Sequence, residues 1–140
     1  MAIAESTTVV NLIAGEDLRG DFGELVKIEN DAGVGKVIKT TAVTDSPVGV
    51  IAEEPDAAAT TDGETVPVAL FEGIIKVKAG ATITAGQLIV PDVTAGRVAG
   101  IANQAALVAD STAIGIALVS AVDGDIFEVL AQVMTSSTET

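Results

Sequence analysis

Gly20-Asp21-Phe22-Gly23-Glu24-Leu25-Val26, Gly35-Lys36-Val37, Pro47-Val48-Gly49-Val50 and Asp62-Gly63-Glu64-Thr65-Val66-Pro67-Val68 decide the fold, because the chain repeats their pattern. The later version reads Ile83-Thr84-Ala85-Gly86-Gln87-Leu88-Ile89, Gly96-Arg97-Val98, Ala113-Ile114-Gly115-Ile116 and Asp123-Gly124-Asp125-Ile126-Phe127-Glu128-Val129. The landmarks Gly-x-Leu-Val/Ile, Gly-Lys/Arg-Val, Val/Ile-Gly-Val/Ile and Asp-Gly recur in one order. Self-similarity of this kind marks a copied supersecondary unit. We read a duplicated β-unit, over about residues 20–72 and 83–133.

Each landmark has a physical meaning. Gly23 and Gly86 sit where a tight turn enters a strand, a position that calls for positive φ. Gly49 and Gly115 interrupt apolar runs, as glycine does at a bulge, a bend or a close backbone approach. Asp62-Gly63 and Asp123-Gly124 are turn dipeptides ahead of alternating stretches. Ile126 to Val133 is the clearer core strand of the pair. Pro67 assigns its counterpart to an edge or bulged position, since proline cannot donate to a ladder. Ile74-Ile75-Lys76-Val77-Lys78 alternates, with Ile75 and Val77 on one face, and Val34 to Thr41 reads as a further strand. Residues 102–110 fit either a short helix capped by Asn103 or a loop.

Composition agrees with strands and excludes much chemistry. The 140 residues include 14 glycines, 3 Phe and no Tyr, Trp, His or Cys. The apolar content is mainly Ala, Val and Ile, and β-branched side chains fit a pleated surface. The class read from this is all-β: a compact barrel or sandwich with at most one short helix and an extended N-terminal arm. Without Cys or His there is no thiol nucleophile, disulfide, Ser-His-Asp triad or ordinary zinc site. The net charge of -13 repels phosphate, and aromatic stacking platforms are few, so nucleic acid is an unsuitable partner. No apolar run reaches the ~20 residues of a membrane helix, and Met1 to Val10 carries Glu5 and no basic start, so neither a membrane nor a secretory signal is expected. An enzyme is disfavoured, and no cofactor or metal is expected.

Remaining candidates have plain readings. Asp123 and Asp125, Glu16-Asp17 and Glu53-Glu54 lack the Asp-x-Asp-x-Asp-Gly spacing of a calcium loop and read as solvated turn charge. Gly33-Val34-Gly35-Lys36 lacks the spacing of a phosphate loop and reads as a turn. Ile75 to Ile89 resembles a segment of biotinyl and lipoyl domains, where the modified lysine lies at a hairpin tip. That resemblance makes Lys76, Lys78 and Lys36 candidates for a carrier role. Residues 1–12 read as an arm, 13–134 as one β domain, and 135–140 as a flexible tail. Within the arm, Ala2, Ile3, Thr8, Val9 and Val10 are candidate contacts for a partner's sheet edge, or alternatively the first strand of the domain itself.

The later half also resembles the phage capsid cement, or head decoration, proteins. The matching residues run from Lys78 to Val90, then Ala95-Gly96-Arg97-Val98, Ala113-Ile114-Gly115-Ile116-Ala117 and Asp123 to Leu130. The inserted Ala57-Ala58-Ala59 departs from the family pattern and puts the loop geometry there in question. The resemblance implies a non-enzymatic virion protein, made in the host cytoplasm and placed on the outer capsid surface. Its implied partner is the major capsid protein of the expanded head, which it bridges and braces as a homotrimer. Another virion module, of tail or fibre, has the same sequence signature.

Overall fold

In a computed structural model of the chain, residues 8–18, 21–52, 64–109 and 111–135 are described. They form ten strands: β1 (Val9–Ile13), β2 (Leu25–Asp31), β3 (Val34–Lys39), β4 (Gly49–Ile51), β5 (Thr65–Leu70), β6 (Ile74–Lys78), β7 (Leu88–Pro91), β8 (Val98–Ile101), β9 (Thr112–Ala117) and β10 (Ile126–Thr135). Among the described residues of 102–110 the chain makes one 3₁₀ turn, Gln104–Ala106, and the Asn103 side chain makes no capping bond. The protein is all-β.

The strands divide into two antiparallel five-stranded sheets, ordered β1-β5-β4-β2-β3 and β6-β10-β9-β7-β8. Adding five to each number in the first order produces the second. The register repeats as well: Val26 faces Gly49 as Ile89 faces Gly115, and Gly49 faces Leu70 as Gly115 faces Ala131. Each sheet curls, and an isolated parallel bridge joins its first and third strands, Ala14 to Val37 and Ala79 to Val98. The bonds that fix this curl are also paired: Gly15 N donates to Val37 O (2.8 Å), and Gly80 N to Val98 O (2.7 Å). The duplicated unit therefore starts one strand upstream of the landmarks, at β1 and at β6.

The two interior glycines explain themselves. A Cβ on Gly49 would strike the Ala69 carbonyl oxygen, and one on Gly115 the Leu130 carbonyl oxygen. Both are also where alternation breaks. Val48 and Ile51, three apart, join the first core, while Val50 between them faces the other way. Ile114 and Ala117 do the same in the second unit, with Ile116 reversed. Gly23 and Gly86 have φ of +84° and +94°, as turn residues entering β2 and β7.

The first core holds Ala14, Leu18, Val26, Val37, Ile51, Val66 and Val68. The second fills the other unit and extends across the junction to Leu25, Val50 and Ala69 of the first. Phe127 and Val129 of β10 are buried in it, as are Ile75 and Val77 of β6.

Pro67 does not lie on an edge strand: β5 sits between β1 and β4. The register resolves the conflict. Pro67 O accepts the Ala52 N–H at 2.9 Å, so the missing donor faces the β4 side. The β4 ladder has already ended there, at the Ile51–Val68 pair. Past that pair Ala52 stands opposite Pro67, so one bond is forfeited, the return bond to Ala52 O, and it falls at the very end of the ladder, where a missing donor costs least.

Candidate interaction surfaces

The arm residues fall in two places. Ala2 and Ile3 lie outside the described residues. Val9 and Val10 belong to β1, paired with Ala69 and Val68 of the chain's own sheet. Thr8 is tied down beside them: its carbonyl accepts Leu70 N–H at 2.9 Å, and its N–H donates to Glu72 Oε1 at 3.1 Å. Thr8, Val9 and Val10 are thus part of the first sheet and not a free arm. The reason is hydrophobic: Val10 and Leu12 pack onto the first core. Val9 points the other way and stays exposed.

Val9 borders a cleft of about 220 Å³ between the two units, lined also by Phe22, Ala69, Ile74, Lys76 and Glu128. Lys76 and Glu128 stand opposite each other in the β6–β10 ladder. Phe22, Lys76 and Glu128 continue into a neighbouring hollow with Val119 and Ile126. The lining is mostly β-branched and aromatic, with one charge of each sign.

Beneath the cleft the units are joined through backbone and charge. Leu25 N donates to Gly96 O, and Gly96 N to Thr40 O, both at 2.7 Å, while Lys78 N donates to Gly23 O at 2.8 Å. Thr40 N still donates to Leu25 O at 3.1 Å, and Gly96 takes the place of the return bond of that pair. Its φ is +74°, and a Cβ there would run into the Glu24 side chain. Lys78 Nζ reaches Glu24 at 3.3 Å, and Lys39 Nζ reaches Asp21 at 3.3 Å. Burial, followed by the adjacent Asp21 charge, pushes the Glu24 carboxyl above its ordinary 4.5, against the pull of Lys39 and Lys78. Burial opposes the charge on Lys39, but the carboxylates of Asp21, Glu24 and Glu16 outweigh it and raise the amine.

The other sequence candidates hold structure in place. Lys78 is ion-paired as above, Lys36 reaches Asp31 at 2.8 Å, and Lys76 is exposed in the middle of β6. None of the three lies at a hairpin tip, which removes the geometry a carrier lysine needs. Asp123 pairs with Arg97 at 3.2 Å, and Asp125 accepts Val122 N–H at 3.1 Å. Asp45, which drew no notice in the sequence, accepts Thr41 N–H at 2.7 Å, Ala42 N–H at 3.0 Å and Lys27 at 3.0 Å. Those bonds outweigh its burial and hold its carboxyl below the ordinary value. Glu53, Glu54, Asp62 and Gly63 lie outside the described residues.

No family model matches the chain, and no curated protein matches it in sequence. A solved structure does match in fold: the N base of the head fibre protein gp8.5 of bacteriophage phi29. The TM-score is 0.64 at 14% identity, over 91% of this chain and 95% of that one. At that identity the likeness is one of fold. It spans both units of the duplication.

Proposed function

We propose that this chain is a structural protein of a phage virion, and within that class a decoration protein of the capsid. It sits on the outer surface of the expanded head and bridges major capsid subunits as a homotrimer, without catalysis. The observation that carries the reading is the fold match to a phage head fibre base over nearly the whole of both chains. The cement-like residues from Lys78 onward, the absence of His and Cys, and a surface that offers contact grooves support it independently.

The mechanism is linkage. A protein that binds only the expanded lattice stabilises that lattice by its difference in affinity between the two states. A few kcal/mol per copy suffices, because a trimer engages several sites at once and gains avidity without new contacts. The strong negative charge keeps free copies apart and steers them toward basic ground on a shell.

The test is to mix purified protein with expanded, undecorated shells and image them by cryo-electron microscopy. Stoichiometric density on the outer lattice is expected. Bare shells across the whole salt range would remove the reading, and density confined to the tail would move the protein to another part of the virion.

A further inference from the structure

A further hollow, of about 170 Å³, shares no lining residue with the cleft between the units. Val90 of β7 and Ile101 of β8 line it, both part of the apolar cluster built on Leu88, Val90 and Ala113. Two loops complete it: β8–β9 through Leu107 and Val108, and β3–β4 through Val43. Adding five to the strand numbers turns one loop into the other, so equivalent loops of the two units meet here. The longer loop is held in place. Ser111 N–H and Oγ–H both donate to Val108 O, at 3.0 and 2.6 Å, and Leu107 N–H donates to Gln104 O at 3.1 Å. The hollow has room for one side chain, whereas small-molecule sites run to roughly 300–1,000 Å³.

One charge stands in this apolar lining. Asp92 follows β7, and among the described residues its carboxylate makes no hydrogen bond or ion pair. Asp45, Asp123 and Asp125, by contrast, are all bonded. Val93 next to Asp92 is 70% exposed, and Val108 of the lining 57%. An apolar hollow with an unpaired carboxylate fits an apolar side chain that has a cation for a neighbour. A second copy of this chain is a poor source of that cation. Of its seven basic residues, Lys27, Lys36, Lys39, Lys78 and Arg97 already pair with the chain's own acids. Lys76 stands opposite Glu128. The complementary charge belongs to a different, basic protein.

We infer that this hollow is the anchor site for a basic partner protein. It takes one apolar side chain of about the size of Leu, Met or Phe, while Asp92 pairs with a Lys or Arg beside that side chain. Taking the shell as the partner rests on the decoration reading above. The two contacts have different signatures: the buried anchor governs dissociation, and the charge at its side governs encounter and salt dependence.

Binding of the full chain to expanded, undecorated shells, measured from low to high salt, tests it with three variants. Ala106→Phe fills the hollow from an exposed position in the 3₁₀ turn. Ala105→Phe adds the same bulk at the exposed position beside it, outside the lining, and Asp92→Asn removes the charge. Thermal melts close to wild type confirm that each variant folds. Ala106→Phe is expected to bind at least about tenfold more weakly at every salt concentration, and Ala105→Phe to bind as wild type does. Asp92→Asn is expected to weaken binding at low salt and to converge on wild type as screening grows. Shells left bare by wild type overturn the decoration reading, and the partner assigned to this site with it. Wild-type binding that neither Ala106→Phe nor Asp92→Asn changes overturns the anchor site and leaves decoration standing. Self-association of the free chain that Ala106→Phe abolishes would make the occupant a second copy and overturn the basic partner.

Discussion

At the scale of single residues, the chain is governed by glycines placed where a side chain has no room. Gly49 and Gly115 lie against carbonyl oxygens of the neighbouring strand, which cannot swing aside as a side-chain tip does. Gly115→Val is therefore expected to cost about 3 kcal/mol or more in chemical denaturation, at or above the usual range for overpacking. Gly33→Ala places its Cβ in open space at φ +88°, and should cost only about 1 kcal/mol. Equal losses would contradict the close-approach argument. Both interior glycines stood out in the sequence because they break apolar runs. Glu24 did not, since nothing local shows that Gly96 and Lys78, distant in sequence, bury it. Its raised carboxyl value sets the sign of its pH effect. An acid whose folded value exceeds its unfolded value contributes stability at low pH, and loses it as pH rises from about the ordinary 4.5 through the folded value. Glu24→Gln should flatten that fall in denaturation midpoints across the window. An unchanged pH profile would assign it to another group.

At the scale of elements, the alternation in β6 and β10 was readable directly, and so was the repeat that predicts two similar units. The partner strand of each first element was not. Val9 to Ile13 lacks the landmarks of the repeat, and its membership rests on pairing with β5, a contact with more than fifty residues between the partners. Pro67 misled for a related reason: how much a missing donor costs depends on where the neighbouring ladder stops, and here only its last bond is lost. Two outcomes follow at this scale. Removing residues 1–8 should weaken shell binding more than it lowers the melting temperature, whereas removing residues 1–13 deletes β1 and should unfold the first unit. Near-equal melting temperatures for the two truncations would show that β1 does not hold the sheet. Gly96→Ala should loosen the junction, because its Cβ meets Glu24 and its φ is positive. In hydrogen exchange, Leu25 should lose protection while amides inside the β9–β10 ladder keep theirs. Uniform loss across both sheets would mean that the units do not separate as cooperative bodies.

At the scale of the whole molecule, the composition is rich in small apolar side chains and acids and holds no His or Cys. The -13 charge makes assembly a matter of ionic strength: copies repel at low salt, and screening over roughly 10 Å at 0.1 M relieves it. Self-association should therefore strengthen as salt is added, while steering to a basic shell weakens. Sequence reading reached the all-β class, but not which apolar residues of the strands stay exposed. Leu88 and Leu130 look alike in one dimension, yet Leu88 is buried with Val90 and Ala113 while Leu130 is 42% exposed, a difference that packing alone decides. The most direct measurement of the central claim compares unexpanded and expanded shells side by side, with binding and shell melting read on the same samples. We expect saturable binding to the expanded form alone, and a rise in its disruption temperature with occupancy. Equal binding to both forms, or full occupancy with no gain in shell stability, would contradict a bracing role.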